Sequence, residues 1–185
     1  MTTISSIDDI FSLYESKGAE AYGERVTSLE HSLQCAHLAQ KAGADDELVI
    51  ATLLHDIGHL VADVQGNERF NMEVDDDDHE AVGARLLSPL FGPKVSQPVS
   101  LHVTAKRWRC TVEPLYHDGL SDTSKATLKA QGGLMNDEER RRFEQHPGFQ
   151  RALDLRGWDD LAKEMEVDCP PLESYRDLMI RLVRS

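Results

Sequence analysis

Three features of this 185-residue sequence predict an all-α fold. Apolar residues recur at spacings of three and four rather than alternating, two segments open on capping-box spacing, and the turns between them are rich in Gly, Asp and Pro. The first helix is expected from Ile7 to Lys17, with Ile7, Ile10, Phe11 and Tyr14 on one stripe and Gly18 as its stop. Thr27 and Glu30 then cap a helix that turns Leu29, Leu33, Ala36 and Ala39 inward and ends at Gly43. A third helix starts near Asp45 or Asp46 and is apolar almost all round through LVIATLLHDIGHL, which places it at the centre of a bundle. A polar loop leads to a helix through His79, Ala81, Val82, Leu86 and Leu87, halted by Pro89. Pro93 and Pro98 bracket a short helical start carrying His102, Lys106 and Arg107. Three more helices are expected over 121–130, 136–145 and 175–183, with Asn136 and Glu139 as the second capping box. No internal repeat or long linker interrupts 1–185, which has the length of a single domain.

The composition narrows the function. Twenty Lys and Arg against 33 Asp and Glu leave a formal charge of −13, a field that repels phosphate backbones and anionic lipid. Nucleic acid and membrane surfaces are therefore not expected partners, and an anionic substrate needs a local basic pocket. The N-terminal residues lack the basic and apolar regions of a secretory signal, and no stretch is long enough to span a bilayer. Three scattered cysteines, Cys35, Cys110 and Cys169, build neither a disulfide framework nor a thiolate zinc site. A cytoplasmic location is the simplest expectation.

Histidine carries the chemical signal. His55 and Asp56 are adjacent on a buried apolar segment, where an imidazole and a carboxylate are costly without compensation. A divalent ion supplies it, and both side chains can reach one ion in a groove between helices. His59 lies one turn further, behind such an ion. His31, His79 and His102 fall one to a helix on either side of this pair, so a bundle can turn all of them inward. Five groups exceed the needs of one ion, and a carboxylate shared between two ions is the natural bridge. A dinuclear site follows, its metal not chosen by an imidazole and carboxylate set. For Cys35, one turn beyond His31, a small buried core residue is the preferred reading.

The strings LEHSLQCA (29–36), LLHDIGH (53–59), HEAVGA (79–84), HVTAKR (102–107), LSDTSKATL (120–128), QGG (131–133) and RGWD (156–159) resemble HD-domain proteins. Within that superfamily they resemble the mixed-valent diiron oxygenases that cleave the carbon–phosphorus bond of 1-hydroxy-2-aminoethylphosphonates. The resemblance implies an HD-domain helical bundle, two iron ions and O₂ as co-substrate. It makes His31, His55, Asp56 and Asp159 ligands of one iron, Asp56 the bridge, and His79 with His102 the completion of the second. Asp122 in LSDTS competes with Asp159, because it matches the closing aspartate of ordinary HD phosphohydrolases; Asp159 is favoured.

The same resemblance assigns His59, Lys106, Ser124 and Arg156 to the phosphonate and Glu24 to the pocket entrance. The family tyrosine next to that entrance falls on Ala21, one position before Tyr22, so a tyrosine gate does not carry over directly. The acidic run Asp75 to Asp78 reads as a solvated loop. A quaternary ammonium group seeks aromatic faces, for which Phe70, Trp108 and Trp158 are the candidates. The implied reaction removes hydrogen from the hydroxyl-bearing carbon and ends in a carboxylate and phosphate. The expected substrate is the 1-hydroxy-2-(trimethylamino)ethylphosphonate, giving glycine betaine. The alternatives are the primary amine, giving glycine, and a dinuclear phosphohydrolase.

Overall fold

The computed structural model describes residues 4–20, 26–64 and 78–184. Among them are eleven α-helices, one 3₁₀ turn and no strand, so the all-α expectation is met. Helix α1 (Ile7–Lys17) and α2 (Ser28–Lys41) begin on capping boxes at Ser6/Asp9 and Thr27/Glu30, each satisfying two otherwise unpaired N-terminal donors. Helix α3 (Asp46–Leu53) opens on Asp45, whose carboxylate accepts from the Leu48 amide at 2.8 Å.

The LVIATLLHDIGHL segment is not one helix. It breaks after Leu53, turns through Leu54, His55 and Asp56, and restarts as α4 (Ile57–Val64). Side chains replace the missing backbone bonds: His55 Nδ1 lies 2.9 Å from the Thr52 carbonyl, and the Tyr14 hydroxyl donates to the Leu53 carbonyl at 3.0 Å. The end of α3 is thus satisfied deep in the core, and the two ligand-type residues occupy a turn.

Helix α5 (His79–Phe91) runs past Pro89, because a proline so near the helix end forfeits a single hydrogen bond; the chain turns at Gly92, whose φ is 72°. Pro93 to Pro98 is not a short helical start but the opening of α6 (Pro93–Val112), 20 residues long. Pro98 cannot donate to the Lys94 carbonyl, and that oxygen instead accepts from Arg151 Nη2 at 3.3 Å. Helices α7 (Pro114–Gly119), α8 (Asp122–Ala130) and α9 (Asp137–Glu144) follow, with the Asn136/Glu139 capping box formed as expected. Helices α7 and α10 (Phe149–Leu161) are not among the helices expected from sequence; a 3₁₀ turn (Leu172–Tyr175) and α11 (Arg176–Leu182) complete the described elements.

The main core gathers α1, α3, α4, the ends of α5 and the start of α6, from Ile10 and Tyr14 to Ile50, Leu53, Leu87 and Val99. Two smaller clusters lie along α6, one at Ala105 with Phe143 and Ala152, the other at Cys110 with Leu120 and Leu128. Helix α6 therefore threads all three and packs on α3, α5 and α10. Among the described residues no helix is long and apolar enough to cross a membrane.

Candidate metal centre

The groups expected to bind metal meet at one buried point. His31 comes from α2, His55 and Asp56 from the turn between α3 and α4, His79 from the start of α5, His102 from α6 and Asp159 from α10; none is more than 6% exposed. Asp56 Oδ2 lies 3.2 Å from His55 Nε2 and 3.7 Å from His31 Nε2. Its Oδ1 lies 3.5 Å from both His79 Nε2 and His102 Nε2. Each oxygen of one carboxylate thus faces its own pair of imidazoles. Asp159 closes the first pair, with Oδ1 3.4 Å from His31 Nε2 and Oδ2 3.9 Å from His55 Nε2. Asp122 is exposed in the first turn of α8 and takes no part.

The donor chemistry fits divalent metal. The outer nitrogens of His31, His55 and His102 lie 2.8–2.9 Å from the carbonyls of Ala162, Thr52 and Val99. A carbonyl can only accept, so Nδ1 carries a proton and Nε2 is the atom each ring turns to the centre, its lone pair open to a metal that displaces any second proton. His79 Nδ1 lies 3.5 Å from Glu80 Oε2, the carboxylate–histidine arrangement common behind metal ligands. His79 and His102 bring their Nε2 atoms to 3.1 Å, and His31 and His55 bring theirs to 3.4 Å. Two lone pairs that close repel unless a cation lies between them.

The charges express the same demand. Burial opposes charging Asp56 and Asp159, yet His55 beside the first and Arg156 beside the second hold both carboxyls well below their usual range. Burial also opposes charging His55, but Asp56 and Asp159 prevail and push its pKa up to about 9. His102 moves the opposite way, held well below the usual value by burial and by the neighbouring His79 and His55. Cys35 is fully buried with Sγ 3.6 Å from His31 Nε2; burial pushes its thiol well up, which suits a neutral packing residue.

The structure also places the residues assigned to the anion. His59 stacks on His79 with ring centroids 3.8 Å apart. Lys106, on α6 one turn after His102, is 3% exposed and donates to Thr127 Oγ1 at 2.6 Å and Gln131 Oε1 at 2.9 Å. Burial and the nearby Arg156 charge lower its pKa to about 7. Ser124 is buried and accepts from Lys163 Nζ at 3.3 Å. Arg156 donates to Asp159 Oδ2 at 2.7 Å, on the same face of α10. Glu24, with Tyr22, Phe70 and Asp75 to Asp77, falls outside the described residues.

Three residues escaped the sequence reading. Thr127 and Gln131 orient Lys106, and Lys163 stands over Ser124; all are ordinary polar residues whose only signal is position along α8 and just after α10. A fourth, Gly58, has structural force: a Cβ there would lie 2.0 Å from the His79 carbonyl oxygen, so only glycine lets α4 pass the start of α5.

The HD-domain pattern matches residues 28–140. The chain is 44% identical over 169 residues to the hydroxymethylphosphonate dioxygenase of Gimesia maris, covering 91% of this chain and 84% of the relative. It is 34% identical to the glycine-betaine-forming [1-hydroxy-2-(trimethylamino)ethyl]phosphonate dioxygenase of Leisingera caerulea, over 96% of this chain and 90% of that protein. An uncharacterised protein of Acanthamoeba polyphaga mimivirus is 36% identical over 96% of this chain.

Proposed function

The chain belongs to the HD-domain phosphonate oxygenase family, and from that premise we propose that it uses two iron ions and O₂ to cleave the C–P bond of a small 1-hydroxyphosphonate. The observation that carries the reading is the split of Asp56, one oxygen toward His31 and His55 and the other toward His79 and His102. His31, His55 and Asp159 would hold one ion, His79 and His102 the other, with Asp56 between. When bound, such a pair supplies O₂ activation and the redox change that no side chain offers.

The protein's own residues bind and orient. Lys106, fixed by Thr127 and Gln131, is the principal cation for the phosphonate, with Ser124 as hydroxyl donor and Arg156 and His59 at the edge of the same wall. A phosphonate dianion favours the charged form of Lys106 and so draws a proton onto it. Contacts from these buried groups fix the phosphonate and so hold the reacting C–H bond in one orientation.

For the organic substituent we propose hydroxymethylphosphonate ahead of the trimethylammonium compound. Of the described aromatic candidates, Trp108 makes an edge-on contact with Phe149 and a hydrogen bond to Glu144, and Trp158 packs against the main core, so each has a structural role without an ammonium ligand. The relative acting on hydroxymethylphosphonate is also the more similar of the two. With this substrate the carbon leaves as formate and the phosphorus as phosphate, both oxygen atoms of O₂ being incorporated.

The test is anaerobic loading with ferrous iron, limited oxidation and electron paramagnetic resonance with each phosphonate, then phosphate release under O₂. Mixed-valent signals perturbed by hydroxymethylphosphonate, with O₂-dependent phosphate and formate, are expected. Equal phosphate release without O₂ would replace this reading with hydrolysis, and perturbation by the trimethylammonium compound alone would reverse the substrate choice. Asp159→Ala is expected to lose one iron and Asp122→Ala none; an Asp159→Ala chain retaining two irons refutes the ligand assignment.

A further inference from the structure

The side chains behind Asp159 form a closed chain of contacts that the reaction itself does not require. All three nitrogens of the buried Arg156 guanidinium are engaged: Nη1 donates to Asp159 Oδ2, Nε to the Tyr116 hydroxyl at 3.0 Å, and Nη2 to Asp160 Oδ1. The remaining oxygen of Asp160 accepts from the Tyr116 hydroxyl at 2.6 Å and from Arg109 Nη1 at 3.1 Å. Arg109 in turn lies over the Tyr116 ring, 4.1 Å from its centroid, and is held by Glu113 at 3.1 Å.

This arrangement decides what Asp159 can present. Its Oδ2 is occupied by Arg156, while Oδ1 faces His31 Nε2. A guanidinium anchored at only one point would rotate and release both carboxylate oxygens; anchored at three, it cannot. The Tyr116 ring packs on the Cys110 and Leu120 cluster, while its hydroxyl and Asp160 line a solvent-open groove of about 860 Å³ together with Lys163 and Gly157.

Resting on the metal-centre reading above, we propose that Asp160 and Tyr116 are positioning residues that lock Arg156, so that Asp159 offers a single oxygen to the ion it shares with His31 and His55. Their loss would then weaken that ion and leave the ion of His79 and His102 alone. Outer hydrogen-bonding partners of metal ligands typically change affinity about 10–100-fold.

The experiment titrates the chain with manganese and, anaerobically, with ferrous iron against a competing chelator, for wild type, Asp160→Asn and Tyr116→Phe. Asp160→Asn is expected to weaken one of two ions about 10–100-fold, the other unchanged, with Tyr116→Phe moving the same ion by less. At saturating metal kcat falls, and KM rises with it because Arg156 also stands on the phosphonate side. Unchanged affinity for both ions, or equal weakening of both, overturns the proposal; if Asp160→Asn does not fold, Tyr116→Phe decides on the same readout. Two tightly held ions in the wild type with unmoved variants overturn this inference alone. A wild type that takes up no ion overturns the metal-centre reading with it.

Discussion

The two sides of the site are held by different means. On the metal side, three of four imidazoles are aimed by main-chain carbonyls, those of Thr52, Val99 and Ala162. On the anion side, Lys106, Ser124 and Arg156 are aimed by other side chains, Thr127, Gln131, Lys163, Tyr116 and Asp160. A carbonyl stays in place when side chains change; a side-chain partner does not. The three carbonyl-aimed imidazoles should therefore tolerate sequence change around them and fail only when the backbone moves, whereas Asp159, held through Arg156, and the anion side should respond in graded steps.

The sharpest way to break this comparison is to move backbone on the metal side. Gly58→Ala places a Cβ against the His79 carbonyl, and the start of α5 must shift. The overpacking costs about 1–3 kcal/mol, but the functional effect is larger: the ion of His79 and His102 is lost, that of His31 and His55 stays, and phosphate release disappears. Metal analysis and a melting curve on the same sample check both. Two ions retained in Gly58→Ala would show that His79 does not depend on this close approach.

That asymmetry also explains what could be read in advance. His31, His55, Asp56, His79 and His102 stand out because polar groups interrupt apolar periodicity, and all five converge. Helix α10 was not assigned for the same reason in reverse. Its buried face is Ala152, Leu155, Arg156 and Asp159, helically spaced but half charged, so hydrophobic patterning does not see it. The break between α3 and α4 was hidden because the turn is as apolar as its flanks, and Tyr14, from 39 residues away in sequence, satisfies it. The Pro98 gap in α6 is filled by Arg151, 57 residues from the Lys94 carbonyl it reaches. Local pattern locates elements; long-range hydrogen bonds decide where they may stop.

A smaller effect sharpens the anion side. Lys106→Met removes the cation proposed for the phosphonate and is expected to weaken phosphate or phosphonate binding about 10–100-fold, the scale of a hydrogen bond to a charged group, with both ions retained. Arg156, Asp159, Cys110 and Lys163 are the ionisable groups around it, and the lowered pKa makes binding by wild type decline as the pH rises past about 7. The linkage has a definite sign. Between about pH 7 and the ordinary lysine value the unfolded chain holds a proton on Lys106 that the native chain lacks, so stability rises with pH over that window. Lys106→Met should flatten that slope in a series of melting curves. A slope that persists would place the titration elsewhere.

The smallest expected effect tests whether a side-chain tether far from the centre behaves as the comparison requires. Asp45 caps α3 and also binds Arg151 of α10 at 3.0 Å, linking the helix that leads into His55 to the one that carries Asp159. Hydrogen bonding by Arg151 lowers the Asp45 pKa, so its contribution to stability is present above the ordinary aspartate range and is lost as the pH falls through the lowered value. Loss of the cap in Asp45→Ala should cost about 1 kcal/mol near neutral pH, the gap from wild type closing in acid. Because main-chain carbonyls aim His31, His55 and His102, both ions should bind as before. A loss of metal in Asp45→Ala would mean that the tether sets the distance between α3 and α10, and that the carbonyl-aimed imidazoles depend on side chains after all.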